Sequence, residues 1–150
     1  MTIQRSSIGA AAGARRACFV LTLLAAMPAW AAGSPAITPV PLDTPTTKAY
    51  AYPPEMRVGD FDGAVREGTA YESASFPQGR VAFWEAKAGT LKTDAYPLDE
   101  FVYVLEGELE TVDRDGTRRQ FGPGDTFVIP KGWAGEWRMK KDFRKLFVNF

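Results

Sequence analysis

The stretch EFVYVLEGELETVDRDGTRRQFGPGDTFVIPKG, Glu100 to Gly132, decides the fold. Its opening EFVYVLEG is rich in β-branched and aromatic residues, the composition of a pleated strand, and Gly107 breaks it. ELETVDRDGTRRQF folds back on itself, because Asp115-Gly116 supplies the positive φ values that a tight hairpin turn requires. FGPGD is a second turn, and TFVIP is a further strand stopped by Pro130, which has no N–H for a ladder. Outward from this centre the pattern continues. RVAFWEAKAG (Arg80–Gly89) reads as a strand ended by Gly89, and GEWRMK and RKLFVNF (Gly135–Lys140 and Arg144–Phe150) complete the set. Residues 50–78 are polar, with turn signals at Pro53-Pro54, Gly59-Asp60 and Asp62-Gly63, and predict one or two short strands. No window beyond residue 31 holds a helical period. Many short strands at regular spacing with Gly/Pro turns predict an all-β chain, an antiparallel sandwich or barrel.

The N-terminus has a different character. Arg5, Arg15 and Arg16 precede an apolar run from Ala17 to Met27, and Ala29-Trp30-Ala31 closes it with a small-x-small pattern. A basic flank, a short apolar core and a cleavage site make a secretory signal peptide over residues 1–31. The run is too short to cross a bilayer, which needs about 20 apolar residues, so stable membrane insertion is not expected. The chain is thus expected in the periplasm or secreted. Cleavage would remove three of the 18 basic residues and none of the 18 acidic ones, leaving 15 against 18 and a net charge of −3. That balance argues against nucleic acid as a partner. Cys18 would leave as well, so no disulfide is available and the core must hold the fold. Residues 32–49 carry Pro35, Pro39, Pro41 and Pro45 and read as a linker, or as an arm lying along a barrel edge. The folded domain is placed at 50–150.

Two spacings carry a resemblance. Glu100 and Gly107 are separated by six residues, and Gly124, Pro130 and Gly132 follow as Gly, five residues, Pro, one residue, Gly. In these motifs the chain resembles the cupins, small jelly-roll β-barrels also described as double-stranded β-helices. Trp84-Glu85, Glu100-Phe101, Gly124-Asp125 and Gly135-Glu136-Trp137 make it similar to the (S)-ureidoglycine aminohydrolase-type cupin subgroup. The resemblance covers roughly residues 80–148 and implies a fold rather than an activity.

It also implies where a metal would sit. The family's motifs supply three histidines and a glutamate, a donor set suited to a divalent ion. Asp94, Tyr96 and Gly135 stand in the histidine slots here, Glu100 keeps the acid, and the chain has no histidine at all. No cofactor and no metal are therefore expected, the alternative being an oxygen-only divalent site built from Asp94, Tyr96 and Glu100. If the strand runs regularly, Asp94, Tyr96, Glu100, Val102 and Val104 share the interior face, with Pro97 as the place where a bulge would break the phase. Gly135, Trp137 and Met139 face in from the second motif, Gly135 leaving the space of an imidazole and Trp137 forming a flat wall.

A buried carboxylate without a metal must be protonated, paired or hydrogen-bonded. Lys92 and Lys145 are the candidate partners of Glu100, and the resemblance supports Lys145, because Arg144-Lys145 matches a doublet ahead of the subgroup's final strand. An unpaired Glu100 would instead suit general acid or base work, which makes it the candidate catalytic residue. The expected function is the binding of a small polar organic ligand, a sugar or a carboxylic acid, by Asp94, Tyr96, Glu100, Trp137, Lys92 and Lys145. The alternatives are a metal-independent hydrolase, isomerase or lyase using Glu100, and a filled, purely structural barrel. Ureidoglycine hydrolysis itself is not expected without the metal ligands. By analogy with cupins, a homodimer through the barrel edges is expected.

Overall fold

The computed structural model describes residues 37–59, 64–71 and 79–150, so the signal segment at 1–31 and the first residues of the arm lie outside the described residues. Alternating and apolar runs become eleven strands among them. These are β1 (Lys48–Tyr50), β2 (Arg57–Val58), β3 (Val65–Tyr71), β4 (Arg80–Ala86), β5 (Gly89–Thr93) and β6 (Glu100–Glu106). The rest are β7 (Leu109–Asp113), β8 (Arg118–Phe121), β9 (Thr126–Ile129), β10 (Gly135–Met139) and β11 (Phe143–Asn149). A single 3₁₀ turn, Pro54–Met56, is the helical element among the described residues. Of the turn signals between 50 and 78, Gly59 takes a φ of 73°, while Asp60, Asp62 and Gly63 lie outside the described residues.

The strands form two antiparallel sheets, β1-β3-β4-β11-β6-β9 and β2-β5-β10-β7-β8. The chain crosses repeatedly from one sheet to the other, and the inward faces close on one core of Trp84, Leu91, Val102, Val104, Leu109, Trp137, Met139, Phe143 and Phe147 with smaller neighbours. Two turns pin the crossings. Gly107 adopts φ 90°, and a Cβ there would overlap the Asp142 carbonyl oxygen, so only glycine fits. Gly124, at φ 92°, donates its N–H to the Val104 carbonyl at 2.9 Å, tying the second motif's turn to the first motif's strand.

β11 matters most for function. Its residues alternate strictly, with Phe143, Lys145, Phe147 and Asn149 buried and Arg144, Leu146 and Val148 on the other face. Period-two geometry thus carries two polar side chains into an apolar interior. On the outer face, Arg144 donates to the carbonyls of Leu42 and Thr44, each at 2.7 Å, and its guanidinium lies 5.0 Å from the Phe83 ring centroid. The proline-rich segment is therefore strapped across the outside of the sheet and continues into β1, which pairs with β3.

Candidate functional site

A cavity of about 270 Å³ enters the barrel between the two sheets, reaching Glu100, Lys145, Trp137 and Asn149 at its floor, with Lys92 and Arg80 toward the rim. Glu100 and Lys145 are 3% and 4% exposed and form an ion pair through Oε1 and Nζ. The other carboxylate oxygen, Oε2, accepts from the Tyr96 hydroxyl at 3.0 Å and from Asn149 Nδ2 at 2.9 Å. Asn149 Oδ1 in turn accepts from Arg80 Nε at 3.2 Å, and Arg80 pairs with Glu67. Among the described residues no buried side-chain nitrogen or oxygen lacks a hydrogen-bond partner.

Three phenols surround this network. Trp84 Nε1 donates to the Tyr50 hydroxyl at 2.7 Å, which lies 3.5 Å from the Tyr52 hydroxyl. Burial, and then the negative charge of Glu100, pushes the Tyr96 phenol far above its usual range. Tyr52 is likewise raised, by burial and then by Tyr50; for Tyr50, burial outweighs the opposing hydrogen bonds from Tyr52 and Trp84. All three remain protonated at neutral pH and so can donate hydrogen bonds.

Of the six residues singled out in the sequence, Tyr96, Glu100, Trp137 and Lys145 meet at the cavity floor, and Lys92 stands at its rim. Asp94 does not join them. Its side chain is 85% exposed and lies 3.9 Å from Lys92, not in the interior. The physical reason is that β5 ends at Thr93 and the segment 94–99 is a loop, pinned where Tyr96 N–H donates to the Trp133 carbonyl at 2.8 Å. The residue count across that loop therefore cannot carry a strand's phase. The space expected beside Gly135 is also absent. A Cβ there would overlap the Val112 carbonyl oxygen and stand 2.5 Å from Trp133 Cζ2, because the Trp133 indole fills that place, its Nε1 donating to Asp113 at 3.0 Å. Asn149, Tyr50, Tyr52 and Arg80 belong to the site but were not among the sequence candidates. Asn149 shares the β11 parity of Lys145, a signal present in the sequence.

These donors do not fit a divalent ion. Both oxygens of Glu100 are engaged by Lys145, Tyr96 and Asn149, Asp94 points away, and position 135 has no room for a ligand. Among the described residues no group of three His, Cys, Asp or Glu side chains converges. Two other hollows hold no buried polar centre of this kind. One of about 590 Å³ lies outside the sheet, among surface ion pairs of Lys87 with Asp142 and Arg144 with Glu85. The other, about 450 Å³, lies beside the stacked rings of Phe121 and Phe127. No helix among the described residues is long and apolar enough to cross a membrane.

Known proteins share this architecture. The fold is similar to that of a Salmonella typhimurium LT2 protein named for ethanolamine utilization, EutQ, at 24% identity over 57% of this chain and 68% of that one, with a TM-score of 0.52. It is similar to the Clostridium difficile EutQ protein at 20% identity, over 67% of this chain and 80% of that one, with a TM-score of 0.55. A protein of unknown function from Pseudomonas syringae pv. tomato is similar at 17% identity over 69% of this chain, TM-score 0.58, although the match spans only 43% of that longer chain. At these identities the likeness extends to the fold alone. Curated protein sequences contain no match to the chain. The strands from β4 to β11, which carry both glycine motifs and the Glu100–Lys145 pair, fall almost wholly within residues 76–147, which match the family model of the EutQ-like cupin domain.

Proposed function

We propose that this chain is an exported cupin-domain protein that binds a small organic carboxylate in the barrel cavity. The observation that carries the reading is the buried Glu100–Lys145 pair at the floor of a cavity that opens to solvent. The cavity descends onto this pair, which lines its floor while staying 3% and 4% exposed. The charged lining residues are Arg80, Lys92 and Lys145 against Glu67 and Glu100, an excess of one positive charge. Tyr96 already donates its single O–H to Glu100, whereas Tyr52, also protonated, offers a donor to an anion's oxygens. At about 270 Å³ the space lies just below the ~300 Å³ at which drug-sized sites begin, so the ligand is small. A sugar, with its many hydroxyls, gains less from the excess positive charge.

The reading includes the finer likeness to the (S)-ureidoglycine aminohydrolase-type subgroup, carried by Trp84-Glu85, Glu100-Phe101, Gly124-Asp125 and Gly135-Glu136-Trp137. It also includes export through the signal segment and pairing of two copies through barrel edges, which sedimentation and N-terminal sequencing of the exported protein test. Acid–base turnover by Glu100 has less support, since neither of its oxygens is free.

Calorimetric titration with lactate, succinate and glucose tests the ligand class. Saturable binding of a carboxylate, weakened at least tenfold by Lys92→Met and by Tyr52→Phe, is the expected result. Binding of glucose alone, or carboxylate binding indifferent to both substitutions, overturns it.

A further inference from the structure

We infer that the Lys145 ammonium is a resident cation, held in an aromatic box over Glu100, and that the barrel centre is an organic-ammonium site filled by the chain itself. This inference concerns the cavity floor and is independent of which ligand the upper cavity binds.

The geometry around Nζ is that of ammonium recognition. Nζ lies 4.6 Å from the ring centroid of Trp137, 4.9 Å from Phe147 and 5.3 Å from Trp84, all inside the ~6 Å at which a cation is attracted to an aromatic face. The three rings come from β10, β11 and β4, so both sheets contribute walls. Trp84 and Trp137 meet at 68° with centroids 6.1 Å apart, which makes them two sides of a corner rather than a stack. The hydrogen bond from Trp84 Nε1 to Tyr50 keeps one side in place. The fourth side is the carboxylate of Glu100, itself fixed by Tyr96 and Asn149.

A hard divalent ion needs oxygen or nitrogen lone pairs around it, and aromatic faces supply none. An alkylammonium is satisfied by one carboxylate and several π faces. The lining therefore selects an organic cation, and the chain supplies one on the inward side of β11. The surviving acid of the family's donor set is neutralised by a covalently attached charge that cannot dissociate and that no chelator removes.

Lys145→Ala deletes the side chain from Cγ to Nζ, and the free molecule with those atoms is n-propylammonium. The probe is n-propylammonium chloride, read as the melting temperature of the full chain. Lys145→Ala should gain about 6 °C at ten times the Kd of the amine, while isosteric n-propanol and sodium chloride give none. The wild-type protein should respond to neither the amine nor Mn²⁺ or Zn²⁺. If Lys145→Ala does not fold alone, refolding from urea replaces melting, and recovery with the amine but not with propanol supports the inference. Lys145→Met fills the box with a thioether and should fold but ignore the amine. Equal rescue by propanol, rescue by neither compound, or one divalent ion bound per wild-type chain and lost in Glu100→Gln overturns the proposal.

Discussion

The buried ion pair sets a stability signature that a double-substitution cycle resolves. Lys145→Met removes the cation while roughly keeping the side chain's length. It leaves the carboxylate of Glu100, 3% exposed, with only Tyr96 and Asn149 as donors. Stripping one partner from a buried pair costs about 3–5 kcal/mol. Three ring contacts to the ammonium are lost as well, each of up to about 2 kcal/mol when desolvated. Sulfur–aromatic contacts of the new thioether return about 0.3–1.5 kcal/mol apiece and offset part of that loss. The net expectation is about 3–5 kcal/mol, a fall in melting temperature on the order of 15 °C for a fold of this size.

Glu100→Gln acts differently. If the amide oxygen takes the Oε2 position it satisfies Tyr96 and Asn149, but the amide NH₂ then faces the Lys145 ammonium, donor against donor. Turning the amide over meets Lys145 but opposes NH₂ to Asn149 Nδ2, and turning Asn149 in response breaks its bond from Arg80. One donor is stranded in every arrangement, at about 1–3 kcal/mol. In the double variant the opposing ammonium is gone, the amide oxygen at position 100 still accepts from Tyr96 and Asn149, and its NH₂ faces a thioether, a weak acceptor, instead of a second donor. The two changes together should therefore cost at least about 2 kcal/mol less than their sum, well beyond the roughly 0.3–0.5 kcal/mol within which independent sites add. Urea unfolding followed by Trp84 and Trp137 fluorescence, with circular dichroism as the second probe, measures the cycle. Additivity within about 0.5 kcal/mol, or a Lys145→Met cost below about 1 kcal/mol, would refute the reasoning, because it would mean that water already screens the pair.

Gly135→Ala should destabilise by about 2 kcal/mol or more, since its Cβ meets both the Trp133 ring and the Val112 carbonyl. Adding Trp133→Ala should relieve only the ring's share, which chemical denaturation of both variants checks. The phenols Tyr50, Tyr52 and Tyr96 are raised in the folded state, so folding holds their protons more tightly than the unfolded chain does. Their stability contribution is complete below about pH 10 and is lost as pH rises above it, and ultraviolet titration should show them ionising only as the fold opens. Glu100→Gln should let Tyr96 ionise at lower pH, because the Glu100 charge is the second cause of its shift after burial. Asp94→Ala should change stability by less than about 0.5 kcal/mol and leave ligand titrations unaltered, as its carboxylate is exposed and outside the cavity lining. A tenfold loss of binding in that variant would instead bring Asp94 into the site.

What the sequence made legible follows the range over which its rules act. β6 through β9 could be read because the alternation of EFVYVLE, the Asp115-Gly116 turn and the Pro130 stop are each decided by neighbours in the chain. Lys145 is singled out in the sequence by the Arg144-Lys145 doublet of the resemblance, and β11, whose phase survives from Phe143 to Asn149, carries it to Glu100. Asp94 was misplaced by the same rule applied where it does not hold. TDAYPLDE contains Pro97, and the loop it sits in takes its path from a contact with Trp133, far along the chain, which no count along the segment contains. The closed space beside Gly135 has a similar origin, because the Trp133 indole is aimed by Asp113 on β7. Tyr50 and Tyr52 reach the cavity from outside the motif region, through pairing of β1 with β3 rather than through any pattern of their own. Asn149 was within reach. A lysine and an asparagine at inward positions of an otherwise apolar strand each demand a buried partner, and a single carboxylate with two oxygens can serve both. The polar centre at the cavity floor is thus written in two registers: Glu100 in a motif and its two partners in the parity of the last strand. A search for metal ligands reads only the first.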